Sequence, residues 1–221
     1  MSASDVPAGA LSAAQVREQV EGLLAGPRPL PIVQVGEPVL RAAATPYDGQ
    51  LAPGVLAELL VAMRETMRSA PGVGLAAPQV GLGLAVAVVE DSWPVVDDDV
   101  ALRRERVLVP YRVLVNPRYE PVGEERVAFY EGCLSVRGWQ AVRARWRTVR
   151  LTGQDETGRS LDEVLRGWPA RIVQHETDHL AGHLYVDEAE MRSLVSPDGP
   201  LLWAAEPGPE QASLALGFTL P

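Results

Sequence analysis

Hydrophobic positions recur at helical spacing in separate stretches of the chain. Between Ser12 and Ala25, Val16, Val20, Leu23 and Leu24 form one apolar stripe; Ser12 suits the N-cap and Gly26 the end. Pro27, Pro29 and Pro31 then impose an extended linker. From about Gly54 to Ala70 a second stripe carries Leu56, Leu59, Leu60, Met63 and Met67, and Pro71-Gly72 stops it. Its methionines read as core rather than as a substrate groove. A long helix is predicted over Pro169 to Ala181, with Pro169 in the first turn and Gly182 just past the last.

Strand patterns fill the interval. Leu84 to Val89 is a nearly continuous apolar run and predicts a buried strand. Further strands are predicted at Arg112 to Val115, Val127 to Tyr130 and Thr148 to Gln154. The turn residues Asp155-Glu156-Thr157-Gly158 return the last of these to a partner at Ser160 to Val164. Asp91 to Arg106 reads as a surface loop, because Asp97-Asp98-Asp99 lacks the spaced ligands of a cation-binding loop. After Asp187 a short helical stretch is expected, then a Pro/Gly-rich linker from Pro197 to Pro209 and a small helix from Gln211 to Leu216. Strands in runs followed by one long helix give an α+β fold rather than an alternating one. The expected organisation is an N-terminal helical appendage and linker (1–30), a main domain (31–187) and a C-terminal tail (188–221).

Composition narrows the class. Of 221 residues 47% are hydrophobic, enough for a sizeable core. No stretch approaches the roughly 18 consecutive apolar residues of a membrane span. The first thirty residues carry Asp5, Glu18 and Glu21 and lack the basic start and apolar stretch of a secretory signal, which favours a cytoplasmic protein. The net charge of −9 repels phosphate backbones, so no specific nucleic-acid binding is expected. Arg143, Arg145, Arg147 and Arg150 crowd together, three of them at alternate positions, and read as one solvated strand face. Cys133 is the sole cysteine, so no intramolecular disulfide can form. It is a small buried hydrophobe, a nucleophile or a metal ligand, and its neighbours must decide.

The strongest chemical signal is His175-Glu176-Thr177-Asp178-His179. On a helix, residues i and i+4 lie about 40° apart, one turn above each other, so both imidazoles can reach one ion. Glu176 then lies within reach of a water at that ion, where a carboxylate can accept and return a proton. Catalytic centres of this kind take three protein ligands and keep one position open. In the metzincin proteases the pattern continues to a Gly, matched here by Gly182, and then to a third His. That position holds Tyr185 here, and His183 comes two residues early. Cys133, in Glu131-Gly132-Cys133-Leu134-Ser135, is the better candidate; Gly132 would let the backbone approach closely. A further segment, Gly72-Val73-Gly74-Leu75-Ala76-Ala77-Pro78-Gln79, makes a close-approach turn ending in an amide.

Taken in order, these segments match GxGLAAPQ, EGCLS and QHExDH, and the chain from about Leu30 to Asp187 resembles the peptide deformylases. Arg137 replaces a Pro common after EGCLSV. The resemblance implies a metal-dependent hydrolase that removes the N-formyl group from the initiator methionine of nascent polypeptides, releasing formate. It implies antiparallel or mixed strands packed around one central metal-binding helix. It makes Cys133, His175 and His179 the metal ligands and Glu176 the general base and acid. Gln79 and the Leu134 N–H become oxyanion donors. Val73, Gly74, Gly132 and Ile172 are expected to line the substrate, Gly74 through backbone hydrogen bonds. The implied metal is ferrous iron, with nickel, cobalt or zinc tolerated. The implied partner is an N-formyl-methionyl nascent peptide, met close to the ribosome. The competing readings are a zincin-type endopeptidase, and a non-enzymatic module that binds zinc or formylated peptide ends.

Overall fold

The computed structural model describes residues 11–92, 99–196, 203 and 206–221. The helices expected from periodicity are α1 (Ala13–Leu24), α2 (Pro53–Ser69) and α4 (Trp168–Leu180). Ser12 caps α1 through a reciprocal pair of bonds with Gln15. Pro53 and Pro169 sit in the first turns of α2 and α4, where a missing N–H costs nothing. Val16 and Val20 of α1 pack into the same apolar cluster as Leu59, Met63 and Met67 of α2, so these methionines are core.

The remaining elements are β1 (Gly74–Ala76), β2 (Val86–Asp91), α3 (Asp99–Arg103), β3 (Val109–Pro121), β4 (Arg126–Cys133), β5 (Val136–Trp146), β6 (Thr148–Gln154), β7 (Ser160–Arg166), β8 (Glu190–Val195) and α5 (Glu210–Leu216). One sheet has the order β1-β2-β3-β6-β7, the other β4-β5-β8. All the paired strands run antiparallel, with one isolated parallel bridge between Thr45 and Leu84. Helix α4 contacts both sheets. Its Ala170, Ile172, Val173 and Leu180 share a core cluster with Ala87, Val89, Leu114 and Leu151. The α+β expectation around one central helix therefore holds. No described helix is long and apolar enough to cross a membrane.

Some local expectations change. The stretch after Asp187 is a strand, β8, not a helix: Gln140 and Val142 of β5 take Val195 and Glu190 as partners. An unsatisfied sheet edge outweighs the helical propensity of Glu-Met-Arg. The Asp91–Arg106 interval is not wholly a surface loop. Asp91 ends β2 in the interior, and Asp99 opens α3. Asp97 and Asp98 lie outside the described residues. Part of the Pro197–Pro209 linker does too.

Candidate active site

Three segments converge on one cavity of about 810 Å³, lined by Gly72–Gly74, Gln79, Glu131–Leu134, Ile172, His175 and Glu176 among others. Helix α4 contributes His175 and His179 from adjacent turns, their ring centres 5.0 Å apart. Cys133 arrives at the end of β4, just after a register shift between Gly132 and Cys133. Such a bulge re-aims the following side chain. The thiol lies 3.2 Å from His179 Nε2. One ligand atom from each of Cys133, His175 and His179 lies within 4.8 Å of the others. A thiolate and two imidazoles at this separation fit a divalent transition-metal ion with a position left open.

The surrounding hydrogen bonds fix which nitrogens face inward. His175 Nδ1 lies 3.2 Å from Glu131 Oε2, leaving Nε2 for the cavity. Glu131 also receives Arg145 Nε at 2.6 Å and Nη2 at 2.9 Å, and Arg171 Nη1 at 2.5 Å. Burial alone would raise the Glu131 pKa, but Arg145 and Arg171 hold it well below the ordinary carboxylate range. Arg145 extends to Asp178 Oδ2 at 2.7 Å, and Asp178 also accepts from Tyr119 at 2.9 Å. The arginine cluster is thus not one solvated face. Arg150 is exposed and Arg147 half-buried, but Arg143 and Arg145 are buried between sheet and helix. Their alternate spacing was visible; their burial depends on Glu131 and Asp178, which arrive from other elements.

Glu176 is buried, and its Oε2 has no hydrogen-bond partner among the described residues. Burial pushes its pKa up to about 7, against the pull of His175 and Arg145. It presses on β1 so closely that a Cβ at Gly74 would collide with its carboxylate. The Gly at this position is therefore a packing requirement. Gln79 is buried; its Oε1 accepts from Ala76 N at 2.8 Å, which turns its amide nitrogen toward Cys133 Sγ at 3.5 Å. Leu134 and Ser135 form the turn between β4 and β5, and Leu134 O accepts from Gln34 Nε2 at 3.1 Å. Val73, Gly132 and Ile172 all line the cavity. Val173, next to Ile172 on the helix, packs in the core and is not part of the cavity lining.

The positions that matter to the endopeptidase alternative add no third histidine to the ligand cluster. Tyr185 stacks beside His175 at 6.4 Å and donates its hydroxyl to Trp139 O at 2.9 Å. His183 is exposed and outside the ligand cluster. Sequence reasoning passed over Trp168 and Arg104, which also line the cavity. Trp168 sits one turn before Ile172 and could have been found from helical spacing; Arg104 carries no local signal.

Residues 29–194 match the family model for polypeptide deformylase. The chain belongs to the polypeptide deformylase family. Its similarity extends to peptide deformylase 3 of Streptomyces avermitilis, 62% identical over 204 residues that cover 92% of this chain and 91% of that protein. Among solved structures it resembles the Synechococcus elongatus peptide deformylase complexed with actinonin (31% identity, TM-score 0.62, 88% of this chain and 90% of that one). It also resembles the Met-Ala-Ser-bound class I type b enzyme of Acinetobacter baumannii (34% identity, TM-score 0.64, 72% and 97%). The activity of the deformylase family is hydrolytic removal of the N-formyl group from nascent polypeptides, and it is metal-dependent. That is the activity of this chain.

Proposed function

We propose that Cys133, His175 and His179 hold one ferrous ion, replaceable by nickel, cobalt or zinc, and that Glu176, Gln79 and the Leu134 N–H carry out deformylation beside it. The observation that carries this reading is the convergence of the three donor atoms within 4.8 Å beside the cavity that Cys133, His175 and Glu176 line. An ion held there supplies Lewis acidity, lowering the pKa of water in its reach and polarising the formyl carbonyl.

The protein's own groups do the rest. Glu176 takes a proton from the attacking water and hands it to the leaving amine. A carboxyl raised to about 7 by burial is a strong enough base for the first transfer and a strong enough acid for the second. Gln79 and the Leu134 N–H donate to the carbonyl oxygen as it gains charge. Gln79 is held for this by its bond from Ala76, so little reorganisation is needed at the moment of reaction. The substrate peptide runs along β1, the edge strand of its sheet, and pairs with the Gly74 backbone. Val73 and Gly132 flank it, and Ile172 meets the methionine side chain. Residues 31–187 carry this chemistry, with 1–30 and 188–221 as flanking segments. Because the substrate is a nascent chain, we place the work in the cytoplasm, near the ribosome.

Glu176→Gln should keep its metal and lose turnover by about 100- to 10,000-fold, the range for a general acid–base group. Metal analysis under anaerobic conditions with a formate-release assay reads both. The same assay on matched formyl and acetyl tripeptides should show acetyl nearly inert, since a methyl group displaces the carbonyl and about 1 Å can cost a hundredfold. Comparable rates on the two would reject the geometry; near-normal turnover in Glu176→Gln would reject its role.

A further inference from the structure

We propose that Arg104 is a specificity-determining residue: its side chain closes the far end of the substrate cavity and limits the first side chain the site accepts. This rests on the reading that the formyl group reacts beside Cys133 and Glu176. One stripe of α4 lines the cavity, through Trp168, Arg171, Ile172, His175 and Glu176. Their spacing of i, i+3, i+4, i+7 and i+8 is that of a single helix face. At about 1.5 Å rise per residue, Trp168 lies about 10 Å from His175 toward the start of the helix. A side chain directed down this face leaves the reacting group, passes Ile172 and reaches Trp168.

Arg104 meets it there, from the end of α3. Its guanidinium carbon is 5.6 Å from the centre of the Trp168 ring and 5.5 Å from that of Phe129. Behind it lies a second cavity of about 340 Å³, lined by Phe129, Arg126, Arg147 and Pro209 among others. Arg104 lines both spaces, and is therefore the partition between them.

The partition is anchored on both sides. Arg103 pairs with Glu210 of α5. Glu105 receives Arg147 Nη2 at 2.8 Å and Arg166 at 3.0 Å. Buried Asp91 pairs with Arg106 at 2.7 Å and also accepts from Trp168 Nε1 at 2.8 Å, so wall and helix share one carboxylate. A Cβ on Gly167 would lie 2.5 Å from that of Glu105, so the α3 segment is seated directly against the start of α4. A guanidinium laid on aromatic faces between such anchors makes a fixed stop.

The test compares formyl-Met and formyl-Trp tripeptides of otherwise identical sequence in wild type, Arg104→Ala and Arg104→Met. Truncation joins the two cavities. The preference for Met over Trp in kcat/KM is expected to fall at least about tenfold in Arg104→Ala, since one methylene in a closed pocket already supplies that much discrimination. Arg104→Met, which refills the wall without charge, should restore most of it. An unchanged preference in Arg104→Ala overturns the proposal, and so does an equal loss on both peptides, the mark of general damage to α3. The ratio of Kd values for the same two peptides, measured in a Glu176→Gln background, reads the wall without turnover. Should Glu176→Gln still turn over, the assignment of Glu176 fails while the kcat/KM ratio with Glu176 intact still decides the role of Arg104.

Discussion

Glu131 and Glu90 are each gripped by two arginines, and the two grips differ in purpose. Glu131 is held by Arg145 and Arg171, whose side chains are 2% and 5% exposed. Glu90 is held by Arg64 and Arg68, at 35% and 55%. Both carboxylates are themselves buried, and both have pKa values pulled down by their partners. The difference is what lies beyond. Glu90 ties α2 to the end of β2 at the edge of the fold. Glu131 makes one more contact, with His175 Nδ1, and through Arg145 reaches Asp178, so its cluster sets the orientation of the His175 ring. Buried charges cost several kcal/mol each to desolvate, which a stability role alone does not require. A carboxylate that accepts from the outer nitrogen of an imidazole fixes the tautomer and orientation of the ring.

The comparison breaks first at Glu131. Glu131→Gln leaves Arg145 and Arg171 buried without their shared counter-charge, and about 3–5 kcal/mol of stability should go. Urea denaturation in the presence of a chelator measures this without the metal's own contribution. In the same variant metal affinity should fall about 10- to 100-fold, as for other groups that orient a ligand, read by competition with a chromogenic chelator. A stability loss with unaltered metal affinity would make the cluster merely structural. Gln79→Leu comes next: kcat should fall about 100-fold with Glu131 and its network intact, and a change in KM alone would make Gln79 a positioning residue.

The smallest effect is at Glu90. Its pKa is lowered from the ordinary 4.5 to about 2, chiefly by hydrogen bonds from Arg68 and Arg64. A depressed carboxylate stabilises the fold above its unfolded pKa, and that contribution disappears as pH falls from about 4.5 through 2. The shift taken at face value is about 3 kcal/mol. Both arginines reach water, so screening leaves on the order of 1 kcal/mol. Unfolding free energies of wild type and Glu90→Gln from denaturant titration should differ by that amount at neutral pH and converge near pH 2, with turnover unaffected. A gap that persists at pH 2 would mean the pairing charge is not what stabilises this corner.

How much of this was legible beforehand follows the range of each interaction. The helices α1, α2 and α4 were readable because caps, prolines and stripes are local, and the meeting of Cys133, His175 and His179 was readable because three short motifs each kept their pattern. β8 was not readable, since only the unpaired edge of β5 makes Glu190 to Val195 a strand. Arg143 and Arg145 alternate as a solvated face would; what buries them are carboxylates 14 and 33 residues from Arg145 along the chain. Arg104 reaches the cavity from a segment that reads as a loop. In each case the deciding partner was distant, and the sequence around the residue was compatible with solvent.

The short edge strand β1 bears on the breadth of the enzyme's clientele. It spans Gly74–Ala76 and lies at one end of its sheet order. A peptide laid along it is read through amides and carbonyls that every residue except proline supplies alike. Beyond the first side chain, such a groove has little with which to distinguish one gene product from another. One enzyme can then serve chains of very different sequence, while a ledge this short gives a passing strand too few bonds to remain, favouring quick release and the next customer.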